Sequence, residues 1–277
     1  MLTSLVLSLT PTEPLNLPRD LGRATHALFY MLLAQHDPAL AEVTHASDGL
    51  KPFTCSNVFG GKRQGQSLLA QPGEALWLRY TGLSAEISAF LNGPLFQAGE
   101  QQVQTVELDG STLQVTAATL DPAQHKRASQ TSYEALAAPY LLSRERSDSL
   151  VSLRFVSPTA FRARDQNLPL PLSGSVFGSL ADKWNAFAPI ALPDEVRRFA
   201  DECLAISQFR GRTRMLHGKN GNKQIGFVGQ VHYRATNKDR YWISLINLLA
   251  DYAWYAGVGY QCTQGMGQVR RWVVADF

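Results

Sequence analysis

The sequence predicts an α+β protein made of two consecutive β-α-β-β-α-β units. Each half of the chain opens on an alternating apolar segment, at 4–10 in the first half and at 151–155 in the second. Amphipathic helical patterns and further strand patterns then follow in the same order in both halves. The chain has 277 residues, of which 45% are hydrophobic and 18% charged, so it suits one large domain or two small ones and is not a disordered chain.

The first half contains every element of such a unit. After the opening strand, apolar residues recur at helical spacing on one face: Ala24, Ala27, Leu28, Met31 and Leu32. Asp37 and Pro38 end this helix and begin a second short helix that reaches His45, because proline fits the first turn of a helix. The remaining elements are expected as an extended stretch at 52–61, a strand at 75–80, a helix at 84–92 capped by Ser84, and strands at 103–108 and 112–119.

The second half is expected to repeat this order with an insertion. The polar stretch 122–149 separates the halves, which gives an N-terminal domain at 1–140 and a C-terminal domain at 149–277. After the strand that opens near 151, the expected elements are helices near 176–186 and 194–205, strands near 206–216 and 224–235, a helix at 241–255 and a last strand near 267–274. Two such units predict tandem ferredoxin-like (RRM-like) domains, a fold that includes many RNA-binding modules but does not fix function.

The cysteines and the apolar segments indicate a cytoplasmic protein. Cys55, Cys203 and Cys262 are far apart and form no CxxC pair, which argues against a disulfide scaffold or a cysteine zinc site. The first residues carry no basic leader and are expected to form a strand rather than a signal peptide. The longest apolar stretch, 241–256, is interrupted by polar residues and is too short for a membrane span.

A glycine-rich segment lies between the last helix and the last strand, with glycines at 257, 259, 265 and 267. No GK[ST] follows it, and it ends a helix rather than opening one, so it is neither a P-loop nor a dinucleotide fingerprint. Glycine permits positive φ and close backbone approach, which predicts a phosphate-contacting or a helix-packing role. A simple helix C-cap followed by a tight turn is the alternative.

The segment 256–267, AGVGYQCTQGMG, resembles the glycine-rich loop of the RAMP superfamily of CRISPR-associated proteins, which typically reads G-I-G and then G-F/M-G. The whole chain looks like the CRISPR precursor-RNA processing endoribonuclease of that superfamily. The resemblance implies metal-independent cleavage of CRISPR repeat RNA, without a cofactor, that releases mature guide RNAs with a 2′,3′-cyclic phosphate and leaves a 5′-hydroxyl. It also implies a catalytic tyrosine–histidine–lysine set, which Tyr30, His45 and Lys51 match in order and placement.

The chemistry of these side chains suits RNA cleavage. Histidine can serve as base or acid near neutral pH, and a lysine ammonium can stabilise the charge of the transition state. Tyrosine is a poor base at its ordinary pKa, so we expect Tyr30 to orient the ribose. His26 is the rival histidine, because it lies one helical turn before Tyr30 on the same face. No HExxH pattern or carboxylate cluster indicates a metal site.

The charge is unevenly distributed. The whole chain carries +3, but residues 210–240 hold eight basic residues and one acidic residue, a net +7, and the remainder carries −4. Arginines at alternate positions project from one face of a strand, which predicts a basic hairpin that follows the phosphates of an RNA stem-loop. The predicted RNA contacts are Arg210, Arg212, Arg214, Lys219, Lys223, Arg234, Gly257, Gly259, Gly265 and Gly267, and the same surface is expected to extend to Arg162, Arg164, Arg270 and Arg271.

Three functions remain open at this point. The first is the endoribonuclease, and the second is a non-catalytic RNA-binding subunit of a CRISPR effector complex. The third is an unrelated RNA-binding protein with duplicated ferredoxin-like units. A solvated hairpin without a nucleic-acid partner also remains possible for the basic segment.

Overall fold

The computed structural model describes residues 1–143, 147–163, 166–217 and 223–272. The chain forms two compact units. Unit 1 contains Met1–Thr131 together with Thr263–Gly265, and unit 2 contains Ser132–Cys262 and the residues from Met266 onward. A three-residue piece of the glycine-rich segment is therefore part of unit 1, and the rest of the segment is part of unit 2.

Unit 1 is built on an antiparallel sheet with three α-helices. Its elements are β1 (Leu2–Pro11), β2 (Leu15–Pro18), α1 (Gly22–His36), α2 (Pro38–Ala46), β3 (Phe53–Cys55), β4 (Phe59–Gly60), β5 (Lys62–Gln64), β6 (Ser67–Ala70), β7 (Leu76–Gly82), α3 (Ala85–Leu91), β8 (Thr105–Leu108), β9 (Ser111–Thr119) and β10 (Ser129–Thr131). The main sheet has the strand order β3-β7-β1-β9-β8, with β10 paired to β1 and β4 paired to β7. Strands β2, β6 and β5 form a separate small sheet.

The core of unit 1 decides which face of α1 is buried. Phe29 stacks on Phe53 with ring centroids 4.0 Å apart, and Leu33 is fully buried. The expected face is confirmed at Leu28 and Leu32, which are buried, but it was wrong at Ala27, which is exposed, and at Met31, which is 53% exposed. The buried face extends to Phe29 and Leu33 instead of Ala27 and Met31, because the ring of Phe29 has a large, flat partner in β3 that sequence spacing does not reveal.

The caps of the first helices follow the sequence. The side chain of Asp37 accepts a hydrogen bond from the Leu40 amide at 2.9 Å, and Pro38 occupies the first turn of α2. Ser84 caps α3 in the same way, through a 3.3 Å bond from the Ile87 amide. The stretch expected to be extended at 52–61 is divided into β3 and β4, and the hairpin of β5 and β6 was not predicted.

Unit 2 is a four-stranded antiparallel sheet with helices. Its elements are α4 (Tyr133–Leu141), β11 (Leu150–Thr159), β12 (Phe161–Ala163), β13 (Gln166–Leu168), α5 (Ser173–Phe187), α6 (Glu195–Cys203), β14 (Leu204–His217), β15 (Lys223–Ala235), α7 (Arg240–Ala256) and β16 (Val269–Arg271). The sheet order is β14-β15-β11-β16, and β12 pairs with β13. Helix α4 lies within the polar stretch 122–149 and was not predicted. Its alanine-rich sequence has no clear apolar face and contains Pro139.

Both sheets place the first strand of the unit beside the third and the fourth, which is the ferredoxin-like order. In unit 1 these strands are β1, β7 and β9, and in unit 2 they are β11, β15 and β16. The predicted α+β class with tandem ferredoxin-like domains is confirmed. In the described residues, no helix is both long and apolar enough to span a membrane.

Candidate active site and RNA-contacting surface

The candidate catalytic residues of unit 1 come from three neighbouring elements. His26 and Tyr30 lie one turn apart on α1, His45 lies in the last turn of α2, and Lys51 precedes β3 by two residues. The short connection between α1 and α2 turns the chain back at Asp37, so that α2 returns beside α1. The fold thus brings together all four side chains that the sequence singled out.

Tyr30 lies between the two histidines. Its ring meets the His26 ring edge-on at 5.0 Å and the His45 ring edge-on at 5.2 Å, measured between centroids. His26 also stacks on Phe53 at 5.8 Å with an interplanar angle of 25°. His45 is exposed, and His26 and Tyr30 are half-buried. The site therefore holds one exposed and one partly enclosed imidazole on the two sides of a phenol ring.

Lys51 and Tyr30 together hold the end of α2. The Lys51 ammonium donates to the Thr44 carbonyl at 2.8 Å, to the His45 carbonyl at 3.0 Å and to the Ser47 carbonyl. The Tyr30 hydroxyl donates to the same Thr44 carbonyl at 3.2 Å. An ammonium has three N–H donors, and here all three have carbonyl partners at a helix C-terminus, where positive charge is stabilising. Lys51 therefore fixes the turn that presents His45.

His26 has a specific partner in the loop tip, by which we mean the segment Thr263–Gly265 of unit 1. Its Nδ1 lies 3.0 Å from the Thr263 carbonyl oxygen. Burial lowers the pKa of His26 from its ordinary value of 6.5, and the positive charges of His45 and Lys51 lower it further, against the opposing effect of the Thr263 bond. His26 is therefore biased towards the neutral imidazole.

Tyr30 is held in its protonated form. Burial raises the pKa of Tyr30 to about 12, and the nearby Cys55 thiol adds to the effect. A phenol with this pKa keeps its proton near neutral pH, so its hydroxyl remains a hydrogen-bond donor. This agrees with an orienting rather than a basic role. Two imidazoles, a phenol and an ammonium together supply a base, an acid, a donor and a positive charge.

The four glycines of the loop are closely packed. Those at 257, 259, 265 and 267 have φ of +60°, +77°, +84° and +68°. Their amides donate within the protein: Gly257 to Ala253, Gly259 to Ser179, Gly265 to Cys55 and Gly267 to Pro158. A Cβ at Gly267 would lie 2.3 Å from the Val258 carbonyl oxygen. These contacts explain the glycines by close packing, and their assignment to RNA contact stays a prediction.

Lys183 was not predicted from the sequence, although it organises the unit 2 part of the loop. It lies on α5 and is only 7% exposed. Its ammonium donates to the carbonyls of Ala256 and Gly257 at 3.0 and 3.1 Å, and lies 3.1 Å from the Cys262 sulfur. In the sequence this lysine stands between Asp182 and Trp184 of an amphipathic helix, a setting shared by many exposed lysines.

The basic hairpin is formed by β14 and β15. Arg210, Arg212 and Arg214 pair with Gln230, Val228 and Gly226, so the three arginines share one face of the hairpin. Arg234 lies on the same face, since it shares the parity of Gln230 along β15. Lys223 lies on the opposite face, so it does not extend the arginine surface. Lys219 and Arg164 lie outside the described residues.

Arg154 was also not predicted, and it extends the arginine surface across the sheet. Arg154 of β11 pairs with Gln230 of β15 and with Arg270 of β16. Gln230 in turn pairs with Arg210, so a row of three arginines and one glutamine crosses all four strands on one face. Like charges directly opposite each other are unfavourable without a counter-charge, so this row suits a polyanion. Arg271 is engaged instead with Asp251 at 3.5 Å.

Comparison with known proteins places the chain in a family. The family model for the CRISPR Cas6 N-terminal domain matches residues 1–136, and the model for the CRISPR-associated endoribonuclease Cas6 matches residues 153–269. No curated protein sequence matches the chain.

Solved structures agree with this match. A Cas6 product complex has 27% sequence identity and a TM-score of 0.77, covering 98% of this chain and 99% of that chain. A Cas6 substrate mimic complex has 25% identity and a TM-score of 0.72, with the same coverage. Thermus thermophilus Cas6 has 26% identity and a TM-score of 0.72, covering 98% of each chain.

The matched regions decide among the three functions left open by the sequence. They span nearly the whole chain and include both ferredoxin-like units, so an unrelated RNA-binding protein is excluded. The family is one of RNA-cleaving enzymes that process CRISPR repeat RNA, which favours the enzyme over a non-catalytic subunit. The chain belongs to the Cas6 family of CRISPR-associated endoribonucleases.

Proposed function

We propose that this enzyme cuts CRISPR repeat RNA without a metal ion, by attack of a ribose 2′-hydroxyl on the adjacent phosphate. The products are a 2′,3′-cyclic phosphate and a 5′-hydroxyl. The observation that carries the proposal is the grouping of His26, Tyr30, His45 and Lys51 in one site of unit 1. This set supplies proton transfer and charge stabilisation from side chains alone.

The two histidines divide the proton transfers between them. Neutral His26 accepts the proton of the 2′-hydroxyl, because burial lowers its pKa and keeps a basic nitrogen available near neutral pH. The 2′-oxygen then bonds to phosphorus, and the bond from phosphorus to the 5′-oxygen breaks. His45 gives its proton to the leaving 5′-oxygen. It is exposed in the last turn of α2, where the leaving group of a bound RNA can reach its imidazole.

Lys51 and Tyr30 support this division of roles. The Lys51 ammonium lies at the same helix end as His45, so its charge is close to the developing phosphorane. Tyr30 contacts both imidazoles and donates to the Thr44 carbonyl, so it fixes the distance between base and acid. Its raised pKa keeps the hydroxyl protonated, and since that proton is donated to Thr44, the phenol oxygen orients the ribose as a hydrogen-bond acceptor.

The arginine surface of unit 2 is proposed to bind the repeat stem-loop. It comprises Arg210, Arg212, Arg214, Arg234, Arg154 and Arg270. Arginine pairs bidentately with phosphate, so a row of arginines can contact several phosphates of one strand. The solved Cas6 product and substrate mimic complexes support an RNA partner for this chain.

If the enzyme keeps its product bound, it stays with the guide RNA when that RNA enters a CRISPR effector complex. We propose this further association, and a cytoplasmic location, from the resemblance and from three cysteines that are all free thiols. Co-purification of the mature guide RNA with the protein from cells is the measurement that checks the association. Release of guide RNA immediately after cleavage would contradict it.

The test of the proposed mechanism is single-turnover cleavage of repeat RNA in EDTA. We expect the wild-type enzyme to cut at an unchanged rate after chelation, and His45→Ala and His26→Ala each to lose about 10²-fold or more. His36→Ala is the matched control, because His36 is an exposed histidine at the end of α1 outside the site. Its cleavage rate is expected to equal that of the wild type.

Three results would contradict the proposal. Loss of cleavage in EDTA that Mg²⁺ restores would show a metal-dependent mechanism. Full activity of both histidine variants would remove the imidazoles from the chemistry. Tight binding of repeat RNA with no cut under any condition would contradict the assignment as an enzyme.

A further inference from the structure

We infer that the loop tip, Thr263–Gly265, is a positioning element for the active site, which holds the proton of neutral His26 on Nδ1 and leaves Nε2 as the proton acceptor. The inference rests on the proposed function, since it assigns His26 as the base. It gives the glycine-rich loop a role in the reaction that does not require contact with RNA.

The bond to Thr263 selects the tautomer. A backbone carbonyl oxygen can only accept a hydrogen bond, so the His26 nitrogen that lies 3.0 Å from it must carry the proton. In the neutral ring the other nitrogen, Nε2, then carries the lone pair. Within the described part of the chain, Nε2 of His26 has no hydrogen-bond partner, so it is available to a substrate hydroxyl.

The loop tip is fastened to the elements that carry the site. The Gly265 amide donates to the Cys55 carbonyl at 3.1 Å, which joins the tip to the end of β3. The other side of the tip lies against the start of α1, where a Cβ on Gly22 would be only 2.0 Å from the Gln264 carbonyl oxygen. Since His26 lies one turn after Gly22, the tip and the imidazole are held in a fixed relation.

Glycine is required on both sides of this contact. A Cβ on Gly265 would lie 2.9 Å from the Gly22 Cα, closer than side chains tolerate against backbone. Gly265 also has φ +84°, which side-chain-bearing residues rarely adopt. Any larger residue at either position must push the tip away from α1 and lengthen the bond between His26 and Thr263.

Among the residues that the structure describes, the other groups around His26 do not supply an alternative acceptor for Nδ1. Phe53 stacks on the ring, and Tyr30 meets it edge-on while its own hydroxyl donates to Thr44. His45 and Lys51 contribute positive charge, which disfavours the imidazolium form but does not choose between the two neutral tautomers. The Thr263 carbonyl is the group that makes this choice.

The first test needs no substitution. Nitrogen NMR of the ¹⁵N-histidine-labelled wild-type protein, at a pH where His26 is neutral, distinguishes the Nδ1–H tautomer from the Nε2–H tautomer, and His26→Ala assigns the signal. We expect the Nδ1–H form to predominate. Predominance of the Nε2–H form would overturn the inference.

The second test displaces the loop tip. We expect Gly265→Ala to lower the cleavage rate at saturating RNA about tenfold or more, to leave RNA affinity within about twofold, and to move His26 towards the Nε2–H tautomer. Gly110→Ala is the matched control, because Gly110 has φ +82° but a Cβ there meets nothing within 4 Å. It is subject to similar backbone strain and should keep the wild-type rate and tautomer.

The outcomes separate this inference from the proposed function. If Gly265→Ala fails to fold, Gly22→Ala approaches the tip from the other side and gives the same readouts. A normal cleavage rate together with a switched tautomer would contradict the inference, and so would a slow variant that retains the Nδ1–H form. If the wild-type enzyme does not cut repeat RNA, the proposed function fails, whereas the wild-type tautomer still decides whether Thr263 positions His26.

Discussion

Replacement of Lys51 by methionine separates two roles of this lysine. Lys51→Met keeps most of the side-chain volume but removes the charge and the three N–H donors that hold the end of α2. One role is to stabilise the protein by capping the helix. The other is to present His45 and to place a positive charge beside the reacting phosphate.

The two roles differ in the size of their expected effects, one on the free energy of unfolding and the other on the cleavage rate. A cation at a helix C-terminus contributes about 0.3–1 kcal/mol when it is accessible to solvent. The Thr44 carbonyl keeps its bond from the Tyr30 hydroxyl, and His45 and Ser47 are exposed, so water can replace the lysine at their carbonyls. We therefore expect a loss of about 1 kcal/mol, seen as a fall in Tm of about 2–4 °C. Loss of a group that stabilises transition-state charge costs about 10²–10³ in rate.

The assay combines thermal unfolding with single-turnover cleavage of repeat RNA by Lys51→Met. Lys51→Arg keeps the charge, but its planar guanidinium cannot donate to three carbonyls in the same geometry, so we expect an intermediate rate. Lys62→Met is the matched control, since Lys62 is an exposed lysine of β5 in the same unit. We expect it to match the wild type in both measurements.

One result would refute this assignment of Lys51. If Lys51→Met unfolds at a lower temperature but cuts RNA at the wild-type rate, the lysine is a helix cap and contributes nothing to the reaction. The small stability effect and the large rate effect differ enough that a single pair of measurements distinguishes them.

Three further predictions concern other parts of the molecule. We expect Arg210→Ala combined with Arg212→Ala to weaken RNA binding and to reduce the slope of log K against log[salt] by about 0.7–0.9 for each lost phosphate contact. Lys223→Ala, on the opposite face of the hairpin, should have a smaller effect, and equal effects would contradict the assignment of the arginine face. Because burial lowers the pKa of His26 from 6.5, the base stays unprotonated down to that pH, and the cleavage rate should fall with acid only below pH 6.5. A midpoint of the rate–pH profile at or above pH 6.5 would contradict the assignment of the base. Lys183→Met leaves buried carbonyls without a donor and should lower the free energy of unfolding by about 1–3 kcal/mol, measured by chemical denaturation. An unchanged denaturation midpoint would contradict the stabilisation of the loop by Lys183.

The fold was predictable because its signals are local and repeated. Alternation marked β1 and β11, Asp37 and Ser84 marked helix starts, and the order of elements gave the ferredoxin-like units. The burial of Phe29 in place of Met31 was not predictable, because it depends on the stacking of Phe29 against a residue of another element. Helix α4 was missed because its sequence shows no clear apolar face and has Pro139 inside the helix.

The candidate site was predictable as a set of residues but not as a set of contacts. Tyr30, His45 and Lys51 stood in the expected order, and His26 stood on the same face as Tyr30. Their hydrogen bonds go mainly to backbone carbonyls, such as those of Thr44 and Thr263, and a carbonyl has no signature in a sequence. The arginine row through Arg154 likewise appears only when the strand register is known.

The measurement that tests the central claim most directly is cleavage of a repeat RNA with a single 2′-deoxy substitution. The cut site is first mapped on the all-ribose repeat, and the deoxy sugar is then placed on its 5′ side. In EDTA we expect the substituted RNA to bind with unchanged affinity and to remain uncut, while the all-ribose RNA yields a 2′,3′-cyclic phosphate. Cleavage of the substituted RNA at the same position, or a product with a 5′-phosphate, would contradict attack by the 2′-hydroxyl and with it the histidine mechanism.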